Sequence, residues 1–376
     1  MRKIAAHYAL IGGELRRNIV ISVDDNRQIV AIDEVASLDS CASVEFFPGI
    51  LIPGMINAHC HLELSYLHGA IVEGSGFAGF ARAIGAVRNN FSTEERLRAA
   101  SVADADMWEQ GIEAVIDIAN DELVMPIKTR SRIEYLTLFE AFGLTTQQLD
   151  NHRDMTSKWA QSSITPHSTY SLQDGIFRSA VKANNTTLSI HFLESKDEVE
   201  LYHNEGSLHQ WYDRMGWECD FLHYATPAER ITASITPEKR VVLVHGCEAT
   251  AIDIERISTH FTTPATWALC PESNRYISGS KPPVELLRTK GAKIAIGTDS
   301  LASARELSMV ENMRLMGDVP LTELLRWATK NGAEAMGLDA KLGSIEVGKK
   351  PGIVLLENCD LHNLRLTPES RTRRIL

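Results

Sequence analysis

A chain of 376 residues with 44% apolar and 23% charged content can bury one large core, or a large domain with a smaller companion. A net charge of -11 and a pI near 5.7 argue against nucleic acid or an anionic membrane as partner. The six cysteines (Cys41, Cys60, Cys219, Cys247, Cys270 and Cys359) contain no Cys-x-x-Cys pair and read as reduced thiols of a cytoplasmic protein.

At the start, Arg2 and Lys3 precede an apolar stretch interrupted by His7 and ended by Gly12-Gly13, so a secretory apolar core is missing. No later apolar run reaches membrane-spanning length. Ile19–Val23 and Gln28–Ile32, separated by Asp24-Asp25-Asn26-Arg27, predict a hairpin. An apolar run, Ile50 to Ile56, then leads into His59-Cys60-His61. The middle of the chain alternates strand and helix patterns. Strands are expected at Ala114–Ile118, Glu134–Phe139, Ser163–Pro166, Leu188–Phe192, Val241–His245, Ala265–Leu269 and Lys293–Gly297. Helices are expected at Thr93–Gln110, Asp174–Ala183 and Leu321–Met336. With the strand carrying His59 this makes about eight β/α units, the number of a barrel. Asp197–Thr226 has no clear period and reads as a helix with a long loop. Gly343-Ser344-Ile345-Glu346-Val347-Gly348-Lys349 and Ile353–Leu356 resemble the β-rich start, so both chain ends are expected to build one small β domain. The expected fold is thus α/β, with residues 49–342 as a distorted (β/α)8 TIM-like barrel and 1–48 plus 343–376 as a β-sandwich.

The chemistry-bearing residues sit at strand ends. His59 and His61, two positions apart, leave one face of a strand and can reach one cation. Later strands end in His191-Phe192-Leu193-Glu194, Val244-His245-Gly246 and Gly297-Thr298-Asp299-Ser300. In a parallel barrel these ends open on one face. Three imidazoles and a carboxylate suit a divalent metal with one position left for water.

Taken in order, Pro53-Gly54-Met55-Ile56-Asn57-Ala58-His59-Cys60-His61, Pro166-His167-Ser168, His191-Phe192-Leu193-Glu194, Val244-His245, Cys270-Pro271-Glu272-Ser273-Asn274, Gly297-Thr298-Asp299-Ser300 and the terminal glycine motif resemble the amidohydrolase superfamily. Within it they are similar to the cytosine deaminase, S-adenosylhomocysteine deaminase and chlorohydrolase-like branch. That resemblance implies one divalent ion, zinc before iron, on His59, His61, His191 and Asp299. The expected position of a bridging lysine carries His167 instead, which implies a single metal. It also implies that Glu194 shuttles a proton, that His245 orients the nucleophile and stabilises the oxyanion, and that Asp299 passes a proton to the leaving amine.

The implied activity is hydrolysis of a carbon–nitrogen bond in a cyclic amidine, that is, deamination of a purine-like ring by a metal-activated water. His61-Leu62-Glu63-Leu64-Ser65 resembles aminodeoxyfutalosine deaminases, pointing to 6-amino-6-deoxyfutalosine of the menaquinone pathway. Glu63, Ser65 and His167 would then bind substrate, with Phe77, Phe80 and Arg82 as a lid. Guanine or cytosine deamination and triazine dechlorination are the enzyme alternatives, and a catalytically dead scaffold or binding protein is the non-enzyme one. A small-molecule substrate is expected, with no nucleic acid or membrane partner and a homodimer by family analogy.

Overall fold

Apolar, β-branched runs set the strands, as expected from their propensity. The protein is described by a computed structural model over residues 1–144 and 149–376. Its strands begin with β1 (Arg2–Ile11), β2 (Glu14–Arg16), β3 (Ile19–Val23), β4 (Ile29–Glu34) and β5 (Val44–Pro53). Next come β6 (Met55–Cys60), β7 (Ile112–Ala119), β8 (Glu134–Ala141) and β9 (Ser162–Pro166). They are followed by β10 (Thr187–Phe192), β11 (Arg240–His245), β12 (Thr266–Leu269) and β13 (Lys293–Ile296), and the series closes with β14 (Ile353–Glu357) and β15 (Arg371–Arg374).

Both chain ends enter one mixed sheet of order β15-β14-β5-β1-β3-β4, with β2 on β1. The β3–β4 hairpin turns where expected, and Asp24 Oδ1 accepts the backbone N–H groups of Asn26 and Gln28 to hold it. Ile4, Ile21, Leu51 and Leu355 make one buried face of this sheet, and Ile345 packs with them.

The run Ile50–Ile56 does not form one strand. Its first half is the end of β5, facing β14, and its second half opens β6. The change of direction is at Gly54, where a Cβ would lie 2.0 Å from Glu113 Cγ and 2.7 Å from the Pro351 oxygen. Only glycine fits so close an approach.

The middle of the chain has the TIM-barrel type of architecture. Among the described residues β6-β7-β8-β9 and β10-β11-β12-β13 form two four-stranded, all-parallel sheets. The sheets touch at both seams, by a bridge between Ser168 and His191 and another between Cys60 and Asp299. Helices fall near the expected places, at Thr93–Glu109 (with a Ser92/Glu95 capping box) and Asp174–Ala183. The helix expected over Leu321–Met336 is divided by a π turn at Trp327–Asn331, whose Asn331 amide donates to the Ile294 carbonyl of β13. Asp197–Thr226 is more ordered than its composition indicates. It carries most of the helix Lys196–Leu201, the helix Gly206–Met215 and a 3-10 turn at Asp220–His223. No helix among the described residues is long and apolar enough to cross a membrane.

The terminal sheet is tied to the parallel strands through Arg374. Its guanidinium stacks 3.3 Å from the centre of the Trp108 ring, donates to the Trp108 and Ile112 carbonyls, and pairs with Glu113. Arg374→Ala strands the largely buried Glu113 carboxylate and is expected to lower unfolding free energy by about 2–5 kcal/mol in urea titrations. Arg373→Ala, which removes an exposed pair with Glu357, should change it by about 1 kcal/mol or less.

Candidate active site

The ends of β6 and β10 bring three imidazoles together. His61 Nε2 lies 3.1 Å from His59 Nε2 and 3.4 Å from His191 Nε2. Burial is the main reason the three rings are held neutral: it pushes His59 well down and His61 to about 3, and lowers His191. The outer nitrogens of two rings have partners. His191 Nδ1 donates to the His167 carbonyl at 2.9 Å, and His59 Nδ1 meets Ser189 Oγ at 3.3 Å. Both contacts turn the Nε2 lone pairs inward, which is how proteins orient metal-binding histidines. The donor set His59, His61 and His191 fits a divalent metal.

The turn after β13 places the fourth expected ligand. Asp299 Oδ1 lies 3.7 Å from His61 Nε2, and its Oδ2 accepts from Ser273 Oγ at 2.5 Å and Ser303 Oγ at 3.0 Å. This turn is strapped to β6, because Thr298 and Asp299 N–H both donate to the His59 carbonyl. Asn57 reinforces the strap by exchanging hydrogen bonds with Thr298. Gly297 makes it possible, since a Cβ there would sit 2.8 Å from Cys270 Sγ and 3.0 Å from His59 Cβ.

His245 ends β11 beside this cluster, its ring stacked on His191 at 5.3 Å. The Asn274 amide donates to His245 Nδ1 at 3.2 Å, so the hydrogen resides on Nε2, which lies 3.6 Å from Glu194 Oε1. Glu194 is buried, which pushes its carboxyl to about 7, and its Oε2 accepts from the Tyr170 hydroxyl at 2.9 Å. Leu193, His245 and Asp299 all have left-handed backbone, with φ of 49, 75 and 59°. Each such residue costs about 1–2 kcal/mol. The three lie at the ends of strands that carry the site.

Buried supports lie behind these groups. Asp117, at the end of β7, accepts the Leu62 N–H at 2.8 Å and pairs through its other oxygen with Lys128, both fully enclosed. This ion pair pins the backbone next to His61. Arg230 lies between the Phe177 and Phe221 rings and donates to the Thr169 and Leu172 carbonyls, which fixes the segment bearing Tyr170. Glu198 receives the Glu194 N–H and the Thr169 hydroxyl.

A cavity of about 680 Å³ opens over the histidines. It reaches Glu63, His167, Phe77, Phe80 and Arg82, and the helix Gly206–Met215 contributes Trp211 and Tyr212 to its wall. Both Glu63 oxygens already accept from Asn120, whereas His167 meets the Ser171 hydroxyl through Nδ1. Ser65 does not join them: its hydroxyl donates to the Leu62 carbonyl and it lines a different cleft, near Glu95 and Arg98. Sequence reasoning missed Asn120, Glu140, Tyr170 and the Asp117–Lys128 pair. Ser273 and Asn274 stand in a recognised motif, and the structure gives them the tasks of holding Asp299 and His245.

Residues 50–371 match the Amidohydrolase family. The chain belongs to that family. A Helicobacter pylori protein named adenosine deaminase is 27% identical over 329 residues, covering 81% of this chain and 78% of its own. The crystal structure of Helicobacter pylori aminofutalosine deaminase in complex with methylthio-coformycin has a TM-score of 0.82 at 23% identity and covers 100% of both chains. An adenosine deaminase from Xanthomonas campestris with bound zinc has a TM-score of 0.74 at 20% identity, covering 94% of this chain and 84% of that one. This amidohydrolase shares their fold.

Elemental analysis of the purified amidohydrolase is expected to find about one equivalent of divalent metal. In His191→Ala the content should fall below roughly a tenth of that, with unchanged circular dichroism. Lys128→Met leaves the Asp117 charge buried and unpaired, and thermal unfolding should report a loss of about 3–5 kcal/mol. Adding Asp117→Asn, which keeps the acceptor for Leu62, should recover part of that loss.

Proposed function

We propose that this amidohydrolase is a metal-dependent aminohydrolase that deaminates an amino-substituted purine-like ring, with 6-amino-6-deoxyfutalosine as the leading substrate. The observation that carries this reading is the placement of Glu194 and His245, 3.6 Å apart, beside the three-imidazole cluster. Zinc is the proposed metal, in keeping with the zinc-bound Xanthomonas campestris neighbour, and Asp299 is its fourth protein ligand. When bound there, zinc supplies a Lewis acid that brings the pKa of a water down to about 7.

The side chains then manage protons. Glu194 accepts one from the water and delivers it to the ring nitrogen beside the amine-bearing carbon. Its burial, which raises the carboxyl towards neutrality, suits it to both directions of transfer. Tyr170 holds the other carboxylate oxygen, so the transferring one keeps its aim. His245 donates its Nε2 hydrogen to the oxygen as it adds to that carbon. Asp299 takes the second proton and passes it to the departing nitrogen, which leaves as ammonia while the ring becomes the keto tautomer. The names of the three relatives described above, two adenosine deaminases and an aminofutalosine deaminase, support this chemistry. The aromatic wall formed by Phe77, Phe80, Trp211 and Tyr212 supports a substrate larger than a bare base.

The same reading treats residues 49–342 as a closed (β/α)8 barrel and the two chain ends, 1–48 and 343–376, as a β-sandwich companion. The bridges at both seams and the shared terminal sheet support it. A cytoplasmic setting agrees with the six free cysteines.

Ammonia release by zinc-loaded protein against aminodeoxyfutalosine, adenosine, methylthioadenosine, S-adenosylhomocysteine, guanine and cytosine tests the proposal. Glu194→Gln is expected to lower kcat by about 100-fold or more while metal content is kept. Full activity in that variant, or silence of the metal-loaded parent across the panel, would sink the reading.

A further inference from the structure

One carboxylate facing the cavity has no task in the chemistry above. Glu140, at the end of β8, is 5% exposed. Its Oε1 accepts from the Asn120 side-chain amide at 2.7 Å. The other oxygen, Oε2, is buried and has no hydrogen-bond partner among the described residues. The same Asn120 nitrogen donates to Glu63 Oε1 at 2.8 Å, and the Asn120 backbone N–H donates to Glu63 Oε2 at 2.9 Å. One amide therefore clamps two buried acids and fixes which oxygen of Glu140 remains free. No lysine, arginine or histidine forms an ion pair with either acid among the described residues.

A buried acceptor left without a donor costs about 1–3 kcal/mol, so native structures keep few of them. The position of this one indicates where its donor comes from. Glu140 lines the cavity, and its carboxylate lies within 4.8 Å of ring nitrogens of His167 and His191. The free oxygen thus belongs to a side chain that lines the space beside the histidine cluster. The free Glu140 oxygen is an acceptor, so it calls for a hydrogen-bond donor on whatever occupies that side of the cavity. A second metal on Glu140, His167 and His191 is poorly served. His191 Nε2 already faces His61, and its Nδ1 is engaged by the His167 carbonyl, which leaves two ligands.

We infer that Glu140, oriented by Asn120 against Glu63, accepts a hydrogen bond from a hydroxyl group of the substrate and makes the enzyme select hydroxyl-bearing nucleosides over their deoxy forms. The inference rests on the nucleoside reading of the site and adds the residue that reads the sugar. Glu140 acts on binding and takes no part in the proton transfers.

Binding of adenosine, 2'-deoxyadenosine and 3'-deoxyadenosine to zinc-loaded Glu194→Gln protein, followed by calorimetry, tests it without turnover. Adenosine is expected to bind more tightly than one of the deoxy forms by about 5-fold or more, the worth of one net hydrogen bond. Adding Glu140→Leu should bring the two affinities together, and adding Glu140→Gln, which keeps shape and fold, should narrow the gap in the same direction. Equal binding of all three ligands, binding of none, or a preference that survives both substitutions would overturn the inference. So would a second equivalent of metal that is lost with Glu140. Ammonia release by the parent protein reports separately on the deaminase reading. Turnover without a hydroxyl preference sinks this inference alone, while a hydroxyl preference without turnover sinks that reading alone.

Discussion

Three neutral imidazoles meeting nitrogen to nitrogen are the constraint around which this molecule is arranged. His59 and His61 come from one parallel sheet and His191 from the other, so the 3.4 Å contact of His61 with His191 requires the two sheets to meet in one register. Most of the polar hardware nearby serves that register. The His167 carbonyl that receives His191 Nδ1 belongs to the segment after β9, directly across one seam. Across the other seam, the His59 carbonyl receives two N–H groups from the turn that carries Asp299. The placement of the histidines and the contact between the two sheets are thus carried by the same hydrogen bonds.

Such a centre concentrates charge where water is scarce. Glu63, Glu140, Glu194 and Glu198 are all buried, and burial raises each of them to about 7 or 8. Each is held by neutral donors instead of a salt bridge: Asn120 for the first two, Tyr170 and a backbone amide for the others. Neutral donors satisfy an acid without tying it to one protonation state, which suits groups that must exchange protons or receive a ligand. Asp117 differs, being locked to Lys128, and its work is to hold the chain beside His61.

Much of the candidate centre was legible because its donor side chains lie in short local patterns. His59-Cys60-His61 announces a shared face by spacing alone, and Glu194 is three residues beyond His191. The strands were legible too, from Ala114–Ile118 to Lys293–Gly297, since buried parallel strands are continuous apolar runs. The run Ile50–Ile56 shows the limit of that reasoning. Hydrophobicity is equal on either side of Gly54, and only the approach of Glu113 and Pro351 shows that the chain changes sheets there. Asp197–Thr226 failed in the opposite sense, because its aromatic residues pack against Tyr170 and Phe77, a partner surface remote in sequence.

By itself, the sequence determined the β/α alternation, the histidine and carboxylate set, and the membership that those motifs imply, because each depends on residues adjacent or nearly adjacent along the chain. Tertiary structure alone decided that Asn274 sets the hydrogen on His245, that Tyr170 holds Glu194, and that Asn120 leaves one oxygen of Glu140 free. These pairs are 29, 24 and 20 residues apart. Their members meet only because strand ends converge on one face, and the protonation and aim of a buried group depend on what surrounds it in space.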